Sequence, residues 1–245
     1  AGLAARTRGR VAAYLAGRGS HAAVAALDLS TGTTFAYNAA VRFETASIVK
    51  VDILAALLLQ RQDEDTAGGE AELTADLRTL ATRMITQSDN DAATDLYNQV
   101  GDAAGLARAN RTLGLRDTTP ANSWGLTTTT VADQLQLLRA VSRPGPLAAA
   151  NRAYILDLMS KVEGDQRWGV PAAAGDHATA VYVKNGWLSL SDDGNLWIIN
   201  SIGRIVEPGH DWLVVVLSNQ NATMDAGIDL VQATAGLALD GLRSA

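Results

Sequence analysis

The run Phe43–Leu59 constrains this chain more than any other stretch. It reads Phe-Glu-Thr-Ala-Ser-Ile-Val-Lys-Val-Asp-Ile-Leu-Ala-Ala-Leu-Leu-Leu, apolar enough for a buried helix yet carrying a lysine. Burying an ammonium is costly, so Lys50 has to be paired or partly neutral. Residues three apart share a helix face, which puts the Lys50 amine within reach of the Ser47 hydroxyl. A hydroxyl with a base beside it is an activated nucleophile. Read alone, a serine in such a spacing is more often a plain helix cap. The pattern predicts one helix over Phe43–Gln60.

The totals narrow the classes. With 245 residues, 47% of them hydrophobic, the chain can bury a large core in one domain or two closely joined parts. A net charge of -6 and pI ≈ 5.0, with no basic stripe, argue against nucleic acid as a partner. No cysteine is present, which removes disulfides, thiolate nucleophiles and cysteine metal sites. No apolar run is long enough to span a membrane. His21, His177 and His210 lack metal-ligand spacing. Lysine occurs only at 50, 161 and 184, so each one invites a reason.

In chain order, residues 3–18 read as an amphipathic helix. Ala22–Leu29 and Thr33–Tyr37 read as a hairpin turning at Ser30-Thr31-Gly32. A break is expected at Thr66-Ala67-Gly68-Gly69. Helical spacing covers Ala75–Thr86, Asp91–Val100 and Ala103–Leu113, with Ser88-Asp89-Asn90 as an interruption. Arg116–Thr130 reads as a loop, in which Trp124 is expected to be an anchor rather than a pocket wall. Val131–Val141 is a helix capped by one of Thr127–Thr130, and Leu147–Val162 is another. Ala178–Leu190, Asn195–Arg204 and Trp212–Asn219 are strand-like, and Thr223–Leu242 is a final helix. The simplest assembly is α+β: one antiparallel sheet, the terminal helices on one face and an all-helical lobe on the other. The terminal strands would then meet across a long insertion. The division is an α/β part of about 1–43 and 165–245, and a lobe of about 44–164, in a single domain spanning 1–245.

Three short segments line up: Ser47-Ile48-Val49-Lys50 at a helix start, Ser88-Asp89-Asn90 between helices, and Lys184-Asn185-Gly186 on a strand. Each alone is weak. Together, in this order and context, they resemble the S-x-x-K, S-D-N and K-T-G set of class A β-lactamases and the wider penicillin-recognising serine hydrolases. Arg42-Phe43, Asp91-Ala92-Ala93 and Arg167-Trp168-Gly169-Val170-Pro171 extend the resemblance, which covers essentially the whole chain. It implies an α/β-α sandwich and a serine acyl-enzyme. Ser47 would be the nucleophile, Lys50 the base, and Ser88 the relay to the departing nitrogen. Asn90 would bond Lys50 or substrate, Lys184 would attract a substrate carboxylate, and Asn185 and Gly186 would line the substrate strand. The N–H groups of Ser47 and Trp187 would form the oxyanion hole. Arg167 is expected in a structural ion pair. No metal or organic cofactor is implied, and the substrate is a small β-lactam, amide or ester. The resemblance also implies a bacterial exported protein, secreted or envelope-attached.

The chain departs from that pattern twice. Class A enzymes carry an E-x-x-L-N loop whose Glu activates the deacylating water, whereas Asp117–Gly125 contains no Glu. Asp117, Glu163 and Asp165 are nearby carboxylates in sequence, and none fits the motif. Asn185 also stands where a Thr or Ser is usual. The expectation is complete acylation machinery with slow deacylation. The alternatives are a DD-peptidase- or esterase-like hydrolase without lactam turnover, and a non-hydrolytic binding module.

Overall fold

The computed structural model describes residues 2–64 and 72–243. The expected break at 66–69 lies outside them. Helix α1 (Leu3–Leu15) leads into the hairpin β1 (His21–Asp28) and β2 (Thr34–Tyr37). A two-residue strand β3 (Phe43–Glu44) precedes α2 (Val49–Glu64), followed by α3 (Ala75–Thr86), α4 (Asn90–Val100) and α5 (Asp102–Leu113). Strand β4 (Thr128–Thr129) precedes α6 (Val131–Ser142) and α7 (Ala149–Ser160). The chain finishes with β5 (Ala180–Leu190), β6 (Leu196–Glu207), β7 (His210–Asn221) and α8 (Met224–Arg243).

The five long strands form one antiparallel sheet in the order β2-β1-β7-β6-β5. The hairpin and the last strand meet directly, from His21 opposite Asn219 to Asp28 opposite Trp212. Strand β7 is buried on both faces, and its alternation assigns the layers. Leu213, Val215 and Leu217 face the lobe, joining Ile53, Leu54 and Leu57 of α2. Trp212, Val214 and Val216 face α1 and α8, joining Val11, Leu230, Val231 and Leu239. Fully burying each such side chain contributes about 1.5–3 kcal/mol, so the two faces supply most of the adhesion between layers.

Local chemistry sets the helix ends. Thr74 and Thr130 cap α3 and α6, accepting from Leu77 N at 3.3 Å and Asp133 N at 3.2 Å. Gly101 ends α4 in the left-handed conformation, φ 91°, which costs glycine little.

The expected single helix over Phe43–Gln60 is not formed. Phe43 and Glu44 pair with Thr129 and Thr128, and Thr45 N donates to Thr127 O at 2.8 Å. Ala46 then takes a positive φ of 47°, a 3-10 turn covers Ala46–Ile48, and α2 begins at Val49. Backbone pairing with the 116–130 segment takes these residues out of the helix. That segment accordingly contains a strand and a short 3-10 turn at Trp124–Leu126, not an unbroken loop.

Candidate active site

Ser47 sits in the 3-10 turn that opens onto α2, partly exposed at the junction of sheet and lobe. Two neighbours hold this turn. Asn200 of β6, fully buried, donates to Glu44 O at 2.8 Å and Thr45 O at 2.9 Å, while its Oδ1 accepts from Ser218 N at 3.1 Å. Gly186 of β5 lies against the turn itself. A Cβ at that position would stand 2.8 Å from Ser47 N and 2.9 Å from Thr45 O. Only glycine lets the strand approach so closely.

Lys50 is completely buried one helical turn on. Its Nζ lies 2.9 Å from Ser47 Oγ, 3.0 Å from Ser88 Oγ, 2.8 Å from Asn90 Oδ1 and 2.7 Å from the Ser88 carbonyl. Burial lowers the amine to about 7, against a smaller upward pull from Asp89. Near neutral pH a substantial fraction is therefore a free amine beside the Ser47 hydroxyl.

The Ser88-Asp89-Asn90 turn divides its work among three side chains. Ser88 has a left-handed φ of 56°, and its hydroxyl faces inward. Asp89 caps α4 through Ala92 N at 2.8 Å and pairs with Arg83 at 2.6 Å, which together hold its carboxyl below the usual range. Asn90 turns back to Lys50.

Lys184, also fully buried, reaches the same hydroxyl from β5, at 3.0 Å from Ser88 Oγ and 3.0 Å from Asn185 O. Burial, reinforced by the nearby Lys50 charge, pushes this amine well below its ordinary value. Two lysines thus share one serine, and each disfavours protonation of the other. The third lysine, Lys161, is exposed and pairs with Asp157 at 2.7 Å.

Asn185 is not brought to the cleft. It is buried, and its amide donates to Gln166 O and Trp168 O, both at 2.8 Å. Neighbouring residues on a strand point to opposite faces, and Asn185 faces away from Gly186 and Ser47. Its side chain anchors the segment after α7. Glu163 N of that segment donates to Thr86 O at 3.0 Å and Gln166 Nε2 to Gln87 O at 3.0 Å, bracing the approach to Ser88. Arg167 donates to the carbonyls of Ser160 and Val181 at 3.3 and 3.2 Å, in place of the expected ion pair.

A cleft of about 330 Å³ opens over Ser47, bordered by Asn90, Trp124, Leu126, Trp187 and Leu188 among others. Trp124 is both anchor and wall. Its indole N–H donates to Thr94 Oγ1 at 3.1 Å, and its ring lies over Lys50. Among the described residues no carboxylate lines the cleft. Asp117 is paired with Arg42 at 3.0 Å, and Glu163 and Asp165 are exposed on the segment after α7.

Sequence reasoning missed Asn200. Its signal was an Asn-Ser pair inside the apolar strand Trp197–Ile202, where a polar side chain needs partners.

Among the described residues no helix is long and apolar enough to cross a membrane. Residues 6–242 match the model of the Beta-lactamase enzyme family. The protein named "Putative lipoprotein LppW" of Mycobacterium tuberculosis is 29% identical over 216 residues, covering 84% of this chain. The chain spans 66% of that relative's length. A mutant of PBP-A, solved as an acyl-enzyme complex with penicillin G, superposes with a TM-score of 0.81 at 20% identity, over 99% of this chain and 97% of that one. The TLA-1 extended spectrum β-lactamase gives 0.86 at 17%, over 98% and 99%. A class A β-lactamase from Mycobacterium abscessus gives 0.79 at 22%, over 97% and 99%. These solved structures share the α+β sandwich, and the match over residues 6–242 places the chain in the β-lactamase enzyme family.

Proposed function

We propose that this chain is a serine hydrolase acting through an acyl-enzyme on Ser47, on β-lactams or related amides and esters. The observation that carries the reading is the line Ser47–Lys50–Ser88–Lys184, each step between 2.9 and 3.0 Å. Ser47 Oγ attacks the carbonyl carbon as its proton passes to the neutral Lys50 amine. The carbonyl oxygen becomes an oxyanion held by the N–H groups of Ser47 and Trp187. When the bond to the leaving nitrogen or oxygen breaks, Ser88 delivers a proton to it and is resupplied from Lys50 or Lys184. Asn90 orients Lys50, and an incoming substrate carboxylate would draw a proton onto Lys184, which otherwise shares the Ser88 hydroxyl with Lys50.

Release of the acyl group requires an activated water. With no carboxylate on the cleft wall, Lys50 is the base available, and deacylation is slow. The acyl-enzyme crystallised for a PBP-A mutant with penicillin G, of the same fold, supports the acyl-enzyme step. The lipoprotein name of the mycobacterial relative supports an exported, envelope-associated location.

The test is intact-mass spectrometry and stopped-flow absorbance with a chromogenic cephalosporin. A covalent adduct on Ser47, absent in Ser47→Ala and persisting for minutes, is the expected result. Fast multiple turnover without adduct would refute slow deacylation, and no adduct from any lactam or ester would refute the acyl-enzyme.

A further inference from the structure

The cleft over Ser47 has two unlike sides. Toward Ser88 stand the two buried amines, Lys50 and Lys184. Away from them the walls are the turn Ser123–Leu126 and the end of β5, Trp187–Leu190. Besides the two indoles, the polar side chains lining the cleft are those of Ser47, Asn90 and Ser123, and among the described residues no charged one lines it. Leu188 and Leu190 of β5 line the same cleft as Trp124 and Leu126 of the turn. Leu126 is 41% exposed, one of only two large hydrophobic side chains so exposed among the described residues. The walls are also fixed. Trp124 is tied to Thr94 of α4, and Leu188 and Leu190 belong to a strand paired with β6.

An acyl group on Ser47 has three directions to satisfy. Its carbonyl oxygen turns to the backbone donors, and the leaving atom turns toward Ser88, departing in an ester or open amide and staying tethered in a β-lactam. Its remaining substituent occupies the leucine-and-tryptophan side. A charge placed there loses hydration and gains no counter-ion from the walls. The available volume, about 330 Å³, lies at the lower end of small-molecule sites and suits a phenyl or short alkyl group.

We propose that the cleft selects substrates whose acyl side chain, the substituent on the carbonyl side away from the leaving atom, is uncharged and apolar, seated between Trp124 and Leu126 on one side and Leu188 and Leu190 on the other; this rests on the acyl-enzyme reading of Ser47. It favours esters and amides of small apolar acids over acyl groups bearing carboxylates or amines, such as those of peptides with ionised side chains.

The experiment compares two penicillins that differ only in this substituent: benzylpenicillin and its α-carboxy derivative. The second-order rate of Ser47 adduct formation is followed by intact mass on the wild-type chain and on Leu126→Lys, a change at an exposed position. Benzylpenicillin is expected to acylate at least about tenfold faster, roughly 1.4 kcal/mol in the barrier. Leu126→Lys is expected to bring the ratio toward one by supplying a counter-ion. Equal wild-type rates, or a ratio unmoved by Leu126→Lys, would overturn the selectivity alone. Absence of any Ser47 adduct, from either penicillin or from p-nitrophenyl phenylacetate, would overturn the acyl-enzyme reading and the selectivity with it.

Discussion

The indole of Trp124 lies over the Lys50 amine, with 4.9 Å from Nζ to the ring centroid. The contact places a flat apolar surface on the side of Lys50 that opens to the cleft. It favours the ammonium by cation–π attraction, and the same ring lines the cleft over Ser47, where water would have to attack an acyl-enzyme. Replacing Trp124 by Ala is expected to shorten the life of a Ser47 adduct about tenfold, a change of roughly 1.4 kcal/mol in the barrier. Trp124→Phe, which keeps a ring but loses the bond to Thr94, should stay close to wild type. Decay of the adduct after removal of free ligand, followed by intact mass, checks both.

The pH dependence of acylation follows from Lys50. The amine is the reactive form, and burial lowers it to about 7. Acylation should therefore rise with pH through about 7 and level off above it. A profile flat from about pH 5.5 to 8.5 would remove Lys50 as the base. Lys50→Arg should abolish adduct formation, since a guanidinium stays protonated throughout this range.

Asn200 supports the nucleophile from across the sheet. Asn200→Ala leaves the carbonyls of Glu44 and Thr45 without their donor. The expected cost is on the order of 1–3 kcal/mol, read as a lower urea midpoint with unchanged slope. Acylation should slow as well, because the turn that aims Ser47 loses its brace.

Asp52 of α2 is wholly buried, and burial raises its carboxyl to about 7, with Asn110 beside it opposing and Asp133 adding to the rise. A carboxyl raised on folding binds more protons in the native state between the unfolded value of 3.8 and about 7. Stability from this group is therefore lost as pH rises through that window. Asp52→Asn removes the penalty. It should melt above wild type at pH 7.5, by a margin on the order of 1–3 kcal/mol, and the gain should shrink toward pH 4. Thermal melts of both proteins across pH 4–8 test this.

The sequence exposes a residue's chemistry more readily than its long-range partners. Lys50 was legible because a charge in an apolar run needs an acceptor, and Ser47 stood at helical spacing from it. The strands were legible from their alternation, which is why β5, β6 and β7 fell within a few residues of expectation. The start of α2 was not. Phe43 and Glu44 carry no strand signal in two residues, and they leave the helix only because Thr128 and Thr129, some 85 positions later, pair with them. Asn185 likewise matched a motif by position, while its facing is decided by the carbonyls of Gln166 and Trp168. The shared hydroxyl of Ser88 depended on three distant segments and showed only as motif order.

The pairing of β1 with β7 has a consequence for the chain during synthesis. His21–Asp28 leaves the ribosome long before its partner, Trp212–Asn219, exists. Until then one side of the hairpin has no sheet to join, while α2 to α7 can gather by themselves through nearer contacts. Lys184 and Asn200 belong to the strands made late. A nascent chain halted before β5 therefore carries Ser47 and Lys50 without Lys184 or the brace on the serine turn. On the acyl-enzyme reading such a fragment would be silent toward acyl donors, and reactivity would wait until the late strands of the polypeptide have closed the sheet.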